Sequence, residues 1–245
     1  MQRQGLVVVV GASGTGKSSL VRAGLIPRLH KSEAPRWRIL KPQRPGSSAA
    51  AMLSALASEL RPGSTDLAEA VAAWSREDPN THLLICIDQL EEVITQADQA
   101  ALLLQVTGET RRAGGDRIHL VLTLRSDFEP HFRELLQPEA AGSPRFLIPP
   151  MSRAELREVI EGPASERVLY FEPLALVDRL LDEVADMPGA LPLLSFTLSE
   201  MYRASLQRPQ DRTLSEADYL ALGGVAGALS QRADAVFSGC ADEAD

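Results

Sequence analysis

Short apolar segments alternate with longer segments of helical periodicity through the first 150 residues of the chain. The apolar segments are predicted strands and lie at 6–10, 37–41, 83–87, 118–124 and 146–148. Between the second and third of them, Leu53, Leu56 and Leu60 recur at the spacing of one helix face. Strands that alternate with helices favour a parallel sheet covered on both faces, and the wholly apolar segment 83–87 is typical of a strand in its centre. The pattern predicts an α/β fold.

After Pro149-Pro150 the pattern predicts helices alone. Ser152 and Glu155 have the spacing of a capping box, which starts a helix, and Gly162-Pro163 is predicted to end that helix. Further helices are predicted at about 173–184, from Gly189 onward and after Ser215. The predicted domains are an α/β domain at 1–150, a small all-α domain at 151–237 and a tail at 238–245.

Composition and charge narrow the class of protein. The 245 residues carry a net charge of −8, which argues against a broad nucleic-acid interface, although Arg111, Arg112 and Arg117 leave a small basic patch as an alternative. Two cysteines and four scattered histidines have no spacing typical of a metal site or a disulfide framework. No stretch is apolar for long enough to cross a membrane, and no signal-peptide core is visible, so we expect a cytoplasmic protein with no membrane or nucleic-acid partner.

One run of residues points to nucleotide chemistry. Residues 11–18, Gly-Ala-Ser-Gly-Thr-Gly-Lys-Ser, fit the phosphate-loop pattern G-x-x-x-x-G-K-S/T between a predicted strand and a predicted helix, as that loop requires. Glycines allow positive φ and bring backbone N–H groups to the phosphates, while Lys17 is expected at the β and γ phosphates and Ser18 at Mg²⁺. The predicted nucleotide-binding residues are Gly11, Ala12, Ser13, Gly14, Thr15, Gly16, Lys17, Ser18 and Ser19.

Carboxylates follow the central strand. Asp88 comes directly after segment 83–87 and is the predicted metal-side residue, with a cap on the next helix as the alternative role. Gln89 occupies the adjacent position, where many ATPases carry a catalytic glutamate. Glu91 and Glu92 are therefore the candidates for orienting or deprotonating the attacking water, and we favour Glu91. The other acid then serves the first turn of the helix.

A cation ends the next predicted strand. Ligands lie at the carboxyl ends of the strands in open α/β sheets, so Arg125 is predicted to sense the γ phosphate, and a surface arginine is the alternative. Asp127 is a weaker candidate that could cap the following helix. The predicted catalytic residues are thus Lys17, Glu91, Glu92 and Arg125. The segment 44–48 is interpreted as an ordinary Pro/Gly loop.

Together these motifs resemble the STAND class of signalling P-loop NTPases, in its novel STAND branch. The resemblance is carried by segments 10–25, 88–92, 122–128 and 190–194, with weaker support from 161–164 and 222–229. It implies a sheet of order 5-1-4-3-2, a helical lid, and ATP or ADP with Mg²⁺ as ligands. By the same analogy Pro192 packs near the adenine, whereas the residues alone indicate a first-turn helix proline.

The resemblance also implies a function. STAND proteins act as switches in which ADP holds a closed state and ATP favours an open one that associates with itself or with protein partners. No effector domain precedes the first strand and no complete winged-helix domain follows, so a core of a larger switch or a truncated product is expected. A small-molecule or nucleotide kinase and a non-hydrolysing nucleotide-binding scaffold remain alternatives. ATP is favoured over GTP by the resemblance, since no guanine-reading Asn-Lys-x-Asp is present.

Overall fold

The computed structural model describes residues 5–135, 143–185, 187, 189–208, 211–228 and 230. The chain divides into two compact units, and the larger one ends at Pro149. The predicted tail at 238–245 lies outside the described residues. None of the described helices is both long and apolar enough to span a bilayer.

A five-stranded parallel sheet forms the centre of the first unit, with the order β2-β3-β4-β1-β5. Read from its other edge, this is the order 5-1-4-3-2 that the resemblance implied, and it confirms the α/β prediction. The strands are β1 Leu6–Gly11, β2 Arg36–Ile39, β3 Thr81–Ile87, β4 Ile118–Arg125 and β5 Arg145–Leu147. Their apolar and β-branched residues suit a pleated, buried surface.

Burial explains where the predicted strand bounds were accurate. In β3 and β4 nearly every residue is buried, so the apolar runs marked these strands to within two residues. Strand β2 lies at the edge of the sheet, where its residues alternate between exposed and half-buried. It begins at Arg36 and ends at Ile39, whereas the apolar pattern placed it at 37–41.

Helices cover both faces of this sheet. The described helices of the first unit are α1 Lys17–Ser19, a π-helical stretch Leu20–Leu25, α2 Ile26–His30, α3 Ala49–Leu60, α4 Leu67–Glu77, α5 Glu91–Ile94, α6 Ala97–Gly114 and α7 Glu129–Leu135. Residues of α3, α4 and α6 share one core with one face of the sheet, and residues from the segment between β1 and β2 pack on the other face.

Arg117, one of the three arginines of the suggested basic patch, is engaged in contacts within the first unit. Its guanidinium donates to the backbone carbonyl oxygens of Ser75, Asp78 and Thr81, at 2.8–3.2 Å. It also lies over the ring of Trp74, at 5.5 Å from the ring centroid. These contacts join the end of α4 to the start of β4, so Arg117 is a structural residue of the first unit.

The second unit is mostly helical, with α8 Arg153–Glu166, α9 Ala175–Val184, α10 Ala190–Leu206 and α11 Glu216–Ala221. The prediction of helices alone was wrong, because β6 Tyr170–Glu172 and β7 Thr213–Ser215 pair in parallel as a small sheet. Strands of three residues are too short to show a periodicity. Both carry one buried residue, Phe171 and Leu214, which packs into the core of this unit.

The end of α8 also differs from its prediction. The capping box at Ser152 and Glu155 starts the helix as predicted, but the helix continues past Gly162-Pro163 to Glu166. A proline inside a helix removes one backbone hydrogen bond. Here the missing bond is the one to the carbonyl of Val159, and Pro163 begins the last turn. That turn still forms, with Ala164 buried in the core and its carbonyl accepting from Leu169 N at 2.8 Å.

We expect Leu180→Ala, in α9, to lower the free energy of unfolding by about 3 kcal/mol, because it leaves a cavity in a closely packed core. Leu180 is fully buried, at 0% exposure, whereas Leu174 just before the same helix is 82% exposed. Leu174→Ala is the matched control and should change stability by no more than about 0.5 kcal/mol. Urea unfolding followed by circular dichroism measures both, and equal losses would contradict this assignment of the core.

Candidate functional site

Three strand ends meet at one edge of the sheet. In the parallel register Gly11 of β1 lies opposite Arg125 of β4, and Ile87 of β3 lies opposite Leu122 of β4. The segments that follow β1, β3 and β4 therefore leave the sheet side by side. This register brings the phosphate loop, Asp88 and Arg125 to the edge where ligands of such sheets bind.

The loop after β1 contains two glycines with positive φ, a conformation that glycine adopts readily. Gly14 and Gly16 have φ of 74° and 87°, and Gly16 lies at the start of α1. The Lys17 ammonium donates to the carbonyl oxygens of Gly11, at 2.8 Å, and of Ala12, at 2.7 Å. Burial lowers the pKa of Lys17, while the negative charge of Glu91 opposes that shift. Lys17 is thus a buried cation beside the loop.

Asp88 joins the loop to the sheet through one oxygen. Its Oδ1 accepts from the Ser18 hydroxyl at 2.8 Å and from the Thr123 hydroxyl at 2.6 Å. The residue is 3% exposed, and its Oδ2 has no hydrogen-bond partner. Because α5 begins after Leu90 with no side-chain cap, the alternative role of Asp88 as a helix cap is wrong.

The unpartnered oxygen fits a divalent metal. A buried acceptor without a donor is costly, and a metal-bound water would supply one. Mg²⁺ usually takes one or two protein oxygens and completes its shell with phosphate oxygens and water. Ser18 and Asp88 provide such a set, and no cluster of three or more His, Cys, Asp or Glu side chains that could hold a metal occurs among the described residues. The donor set therefore suits Mg²⁺ bound together with phosphates.

Thr123 is a site residue that the sequence reasoning missed. Its hydroxyl donates to Asp88 and also accepts from the backbone N of Gln89, at 2.9 Å, while its carbonyl accepts from Leu90 N at 3.0 Å. Gln89 is one of two described non-glycine residues with positive φ, at 61°. These bonds hold the strained turn that carries Asp88. A hydroxyl residue inside the apolar segment 118–124 was the available signal.

The two glutamates have different partners. Glu91 Oε2 accepts from the backbone N of Arg125 at 3.2 Å, and its charge acts on Lys17. Glu92 Oε2 instead accepts from the backbone N of Gly46 at 2.8 Å. Glu91 therefore lies on the phosphate-loop side of α5, and Glu92 supports the loop after β2.

Arg125 is held by a carboxylate. Its Nε and Nη2 donate to the two oxygens of Asp127, at 3.1 and 2.6 Å, and its guanidinium lies over the Phe128 ring. This hydrogen bonding raises the pKa of Arg125 and lowers the pKa of Asp127. Asp127 lies in a 3₁₀ turn, Ser126–Phe128, and binds Arg125 through both carboxylate oxygens.

Two further arginines lie beside Asp88. Arg22 Nη2 is 3.6 Å and Arg44 Nε is 3.7 Å from Asp88 Oδ2. The loop that carries Arg44 is attached to β3, because Asp88 N donates to Gln43 O at 2.8 Å and Gln43 N donates to Cys86 O at 3.1 Å. The interpretation of 44–48 as an ordinary loop missed this contact.

The remaining predicted residues have simpler positions. Ser19 ends α1 with an exposed side chain, and Ala12 and Ser13 are exposed loop residues. Pro192 is the third residue of α10, in the second unit, and its side chain is exposed. Its place in the first turn agrees with the reading of the residues alone. Its contact with adenine stays a prediction.

Comparison with known proteins agrees with this geometry. The family model described as Novel STAND NTPase 1 matches residues 1–245. The Aeropyrum pernix ORC2 protein in its ADP form is 18% identical, with a TM-score of 0.69 and with 88% of this chain and 61% of that chain covered. The Aeropyrum pernix ORC1 protein in complex with DNA is 19% identical, with a TM-score of 0.56 and coverage of 81% and 55%.

A Walker-type ATPase of Pyrococcus abyssi is 15% identical, with a TM-score of 0.56 and coverage of 97% of this chain and 70% of that one. At such identities the likeness shows the fold, which is that of a P-loop NTPase. The chain spans 61% of the length of the ORC2 protein that it matches. No curated protein matches the chain.

We expect Thr123→Val to lower the free energy of unfolding by about 2 kcal/mol, because it removes a donor to Asp88 and leaves the Gln89 N–H without an acceptor. The substitution preserves shape. Thr110→Val is the matched control, since Thr110 is equally buried but its hydroxyl donates only to a carbonyl of its own helix, at 2.7 Å. Urea unfolding of both variants should show the larger loss for Thr123→Val, and an equal or smaller loss would contradict the role given to this hydroxyl.

Proposed function

The chain belongs to the Novel STAND NTPase 1 family, and from this premise we propose that it is a regulatory ATPase. It binds ATP and ADP with Mg²⁺, hydrolyses ATP slowly, and changes conformation with the state of the nucleotide. The observation that carries the proposal is the carboxylate of Asp88, bonded to Ser18 of the phosphate loop through one oxygen and buried without a donor at the other. This arrangement suits a metal held between the loop and β3.

Four of the predicted residues have a task in hydrolysis. Lys17 exchanges its bonds to Gly11 and Ala12 for phosphate oxygens and neutralises charge there. Ser18 and Asp88 would hold the metal and its water, and a bound metal would withdraw negative charge from the phosphate oxygens. The water oxygen bonds to the γ phosphorus and Glu91 accepts a proton from that water. The bond from the γ phosphorus to the bridging oxygen breaks, and ADP leaves with the electron pair on that oxygen. Glu91 is favoured over Glu92 because its Oε2 accepts from Arg125 N, at the strand end that lies opposite Gly11 of the phosphate loop.

A conformational response requires groups that distinguish ATP from ADP. Arg125 is such a group in our proposal, because it stands at the end of β4 beside Gly11 and carries a guanidinium now bound to Asp127. A γ phosphate offers Arg125 a stronger anion than a carboxylate does. Exchange of Asp127 for phosphate would move the turn at Ser126–Phe128, and this turn is the start of the proposed response.

The alternatives have less support. A kinase that transfers phosphate to a small acceptor usually needs a cluster of free arginines. In the second unit Arg153, Arg157 and Arg179 pair with acidic residues, and Arg167 donates to the Tyr202 hydroxyl. A non-hydrolysing scaffold would not need an acid beside Lys17. Self-association or a protein partner in the ATP state, a cytoplasmic location and the lack of a nucleic-acid partner remain part of the proposal, the last supported by the net charge of −8.

Lys17→Ala should weaken binding of ATP and ADP by at least about 100-fold, because a charge-assisted bond to phosphate is lost in a buried site. Binding of a fluorescent ADP analogue, measured by anisotropy, tests this expectation. Lys31→Ala is the matched control, since it removes an exposed lysine of the same unit and should bind normally. Unchanged affinity in Lys17→Ala would refute the site.

Glu91→Gln should slow single-turnover ATP hydrolysis by about 100-fold or more, because the base is lost while nucleotide binding is kept. Glu92→Gln is its matched partner and should slow the reaction less than about threefold, since a glutamine oxygen still accepts from Gly46 N. The rates of both variants are measured from the labelled phosphate released in samples quenched at successive times. The opposite order would transfer the role of the base to Glu92, and no hydrolysis in the unmodified protein would favour the scaffold.

A further inference from the structure

Asp88 has two unlike oxygens, and the second is surrounded by cations. Oδ1 is bonded to Ser18 and Thr123, whereas Oδ2 has no hydrogen bond and faces Arg22 and Arg44 at 3.6 and 3.7 Å. These distances are within the range of an ion pair but too long for a hydrogen bond. The side chains come from two separate elements, the helical segment after the phosphate loop and the loop after β2. Two guanidinium groups thus flank the oxygen that a metal shell would use.

From this arrangement, and resting on the proposed function, we propose that Arg22 and Arg44 form a guanidinium clamp. The clamp neutralises Asp88 when no divalent cation is bound and has to leave Asp88 Oδ2 when Mg²⁺ binds. It therefore lets the site hold a nucleotide without metal and makes entry of the metal depend on a movement of the two arginines.

Exposure decides which partner moves. The Arg22 and Arg44 side chains are 48% and 53% exposed, whereas that of Asp88 is 4% exposed. An exposed arginine at ion-pair distance is weakly held and can turn to another anion at little cost. Asp88 cannot follow, because Ser18 and Thr123 fix it from two elements. The clamp opens by rotation of the arginine side chains about a fixed carboxylate.

Charge decides when they move. A divalent cation near Oδ2 carries two positive charges and repels both guanidinium groups. Once the metal has displaced the guanidinium groups, the phosphate oxygens of a bound nucleotide offer them a new partner. Without metal, Asp88 would itself repel the phosphates, and the clamp cancels that charge. Removal of the two arginines should therefore weaken nucleotide binding without metal and strengthen the binding of Mg²⁺.

The clamp also connects the metal position to Glu92. Arg44 stands between Gln43, which is bonded to Asp88 N and Cys86 O, and Gly46, whose N–H donates to Glu92. Release of Arg44 therefore removes one of the contacts that attach this loop to the end of β3 and to α5. Binding of a metal at Asp88 Oδ2 would therefore change the contacts of the loop after β2.

The experiment uses the whole chain with Arg22→Gln, Arg44→Gln and the double variant. Each protein is saturated with a fluorescent ADP analogue in EDTA and then titrated with free Mg²⁺. In the double variant we expect the half-saturating Mg²⁺ concentration to fall by about tenfold and the metal-free Kd for the analogue to rise by at least about threefold. Arg61→Gln is the matched control, because Arg61 is 50% exposed and pairs with Glu77 at 2.9 Å in the same unit. It should change neither quantity.

The outcomes separate the clamp from the proposed function. If all proteins bind the analogue and the double variant needs the same or more Mg²⁺, the clamp is refuted and nucleotide binding stands. If the unmodified protein binds no nucleotide, the proposed function fails. The clamp is then tested by urea unfolding of nucleotide-free protein with and without Asp88→Asn. Loss of the arginines should lower the urea midpoint only when Asp88 keeps its charge, and equal shifts in both backgrounds refute it.

Discussion

One carboxylate oxygen holds together the segments that form the candidate site. Asp88 follows directly after β3. Its Oδ1 accepts hydrogen bonds from two hydroxyl groups, one in the first turn after the phosphate loop and one near the end of β4. A buried charge is tolerable only where polar groups surround it, so the positions of Ser18 and Thr123 are tied to that of Asp88. The turn at Gln89 and the start of α5 then follow, because Thr123 also bonds the backbone there. The same hydrogen bonds thus fix both the register of the central strands and the geometry of the site.

The parts of this arrangement that depend on neighbours in sequence were accessible from the sequence. The phosphate loop is a local motif between a strand and a helix, and Asp88 follows an apolar run that marks a buried strand. Thr123, Arg22 and Arg44 were not found, because their roles depend on contacts across 35, 66 and 44 residues of chain. Only the sheet order brings such residues together, and an arginine in a Pro/Gly loop has no pattern that reveals its partner.

The second unit shows the same limit in another form. Capping signals at Ser152 and Ser215 were reliable, since each satisfies backbone N–H groups within three residues. The stop signal at Pro163 failed because the core decides whether a last turn forms, and Ala164 is buried there. Strands β6 and β7 have three residues each and exist through their pairing. Local chemistry fixed the starts of these helices, and tertiary packing fixed the rest.

The cations at the edge of the sheet share one property that bears on the proposed nucleotide switch. Lys17 donates to two carbonyl oxygens of its own loop, Arg125 is bound by Asp127, and Arg22 and Arg44 face Asp88. Under the proposed function, phosphates have to replace these partners rather than fill open positions. A ligand shifts a conformational equilibrium only through contacts that differ between the states. In the proposed function each exchange frees a different segment, which is the loop after β1, the turn after β4 or the loop after β2. The number of phosphates and the presence of the metal would then each affect a separate part of the fold.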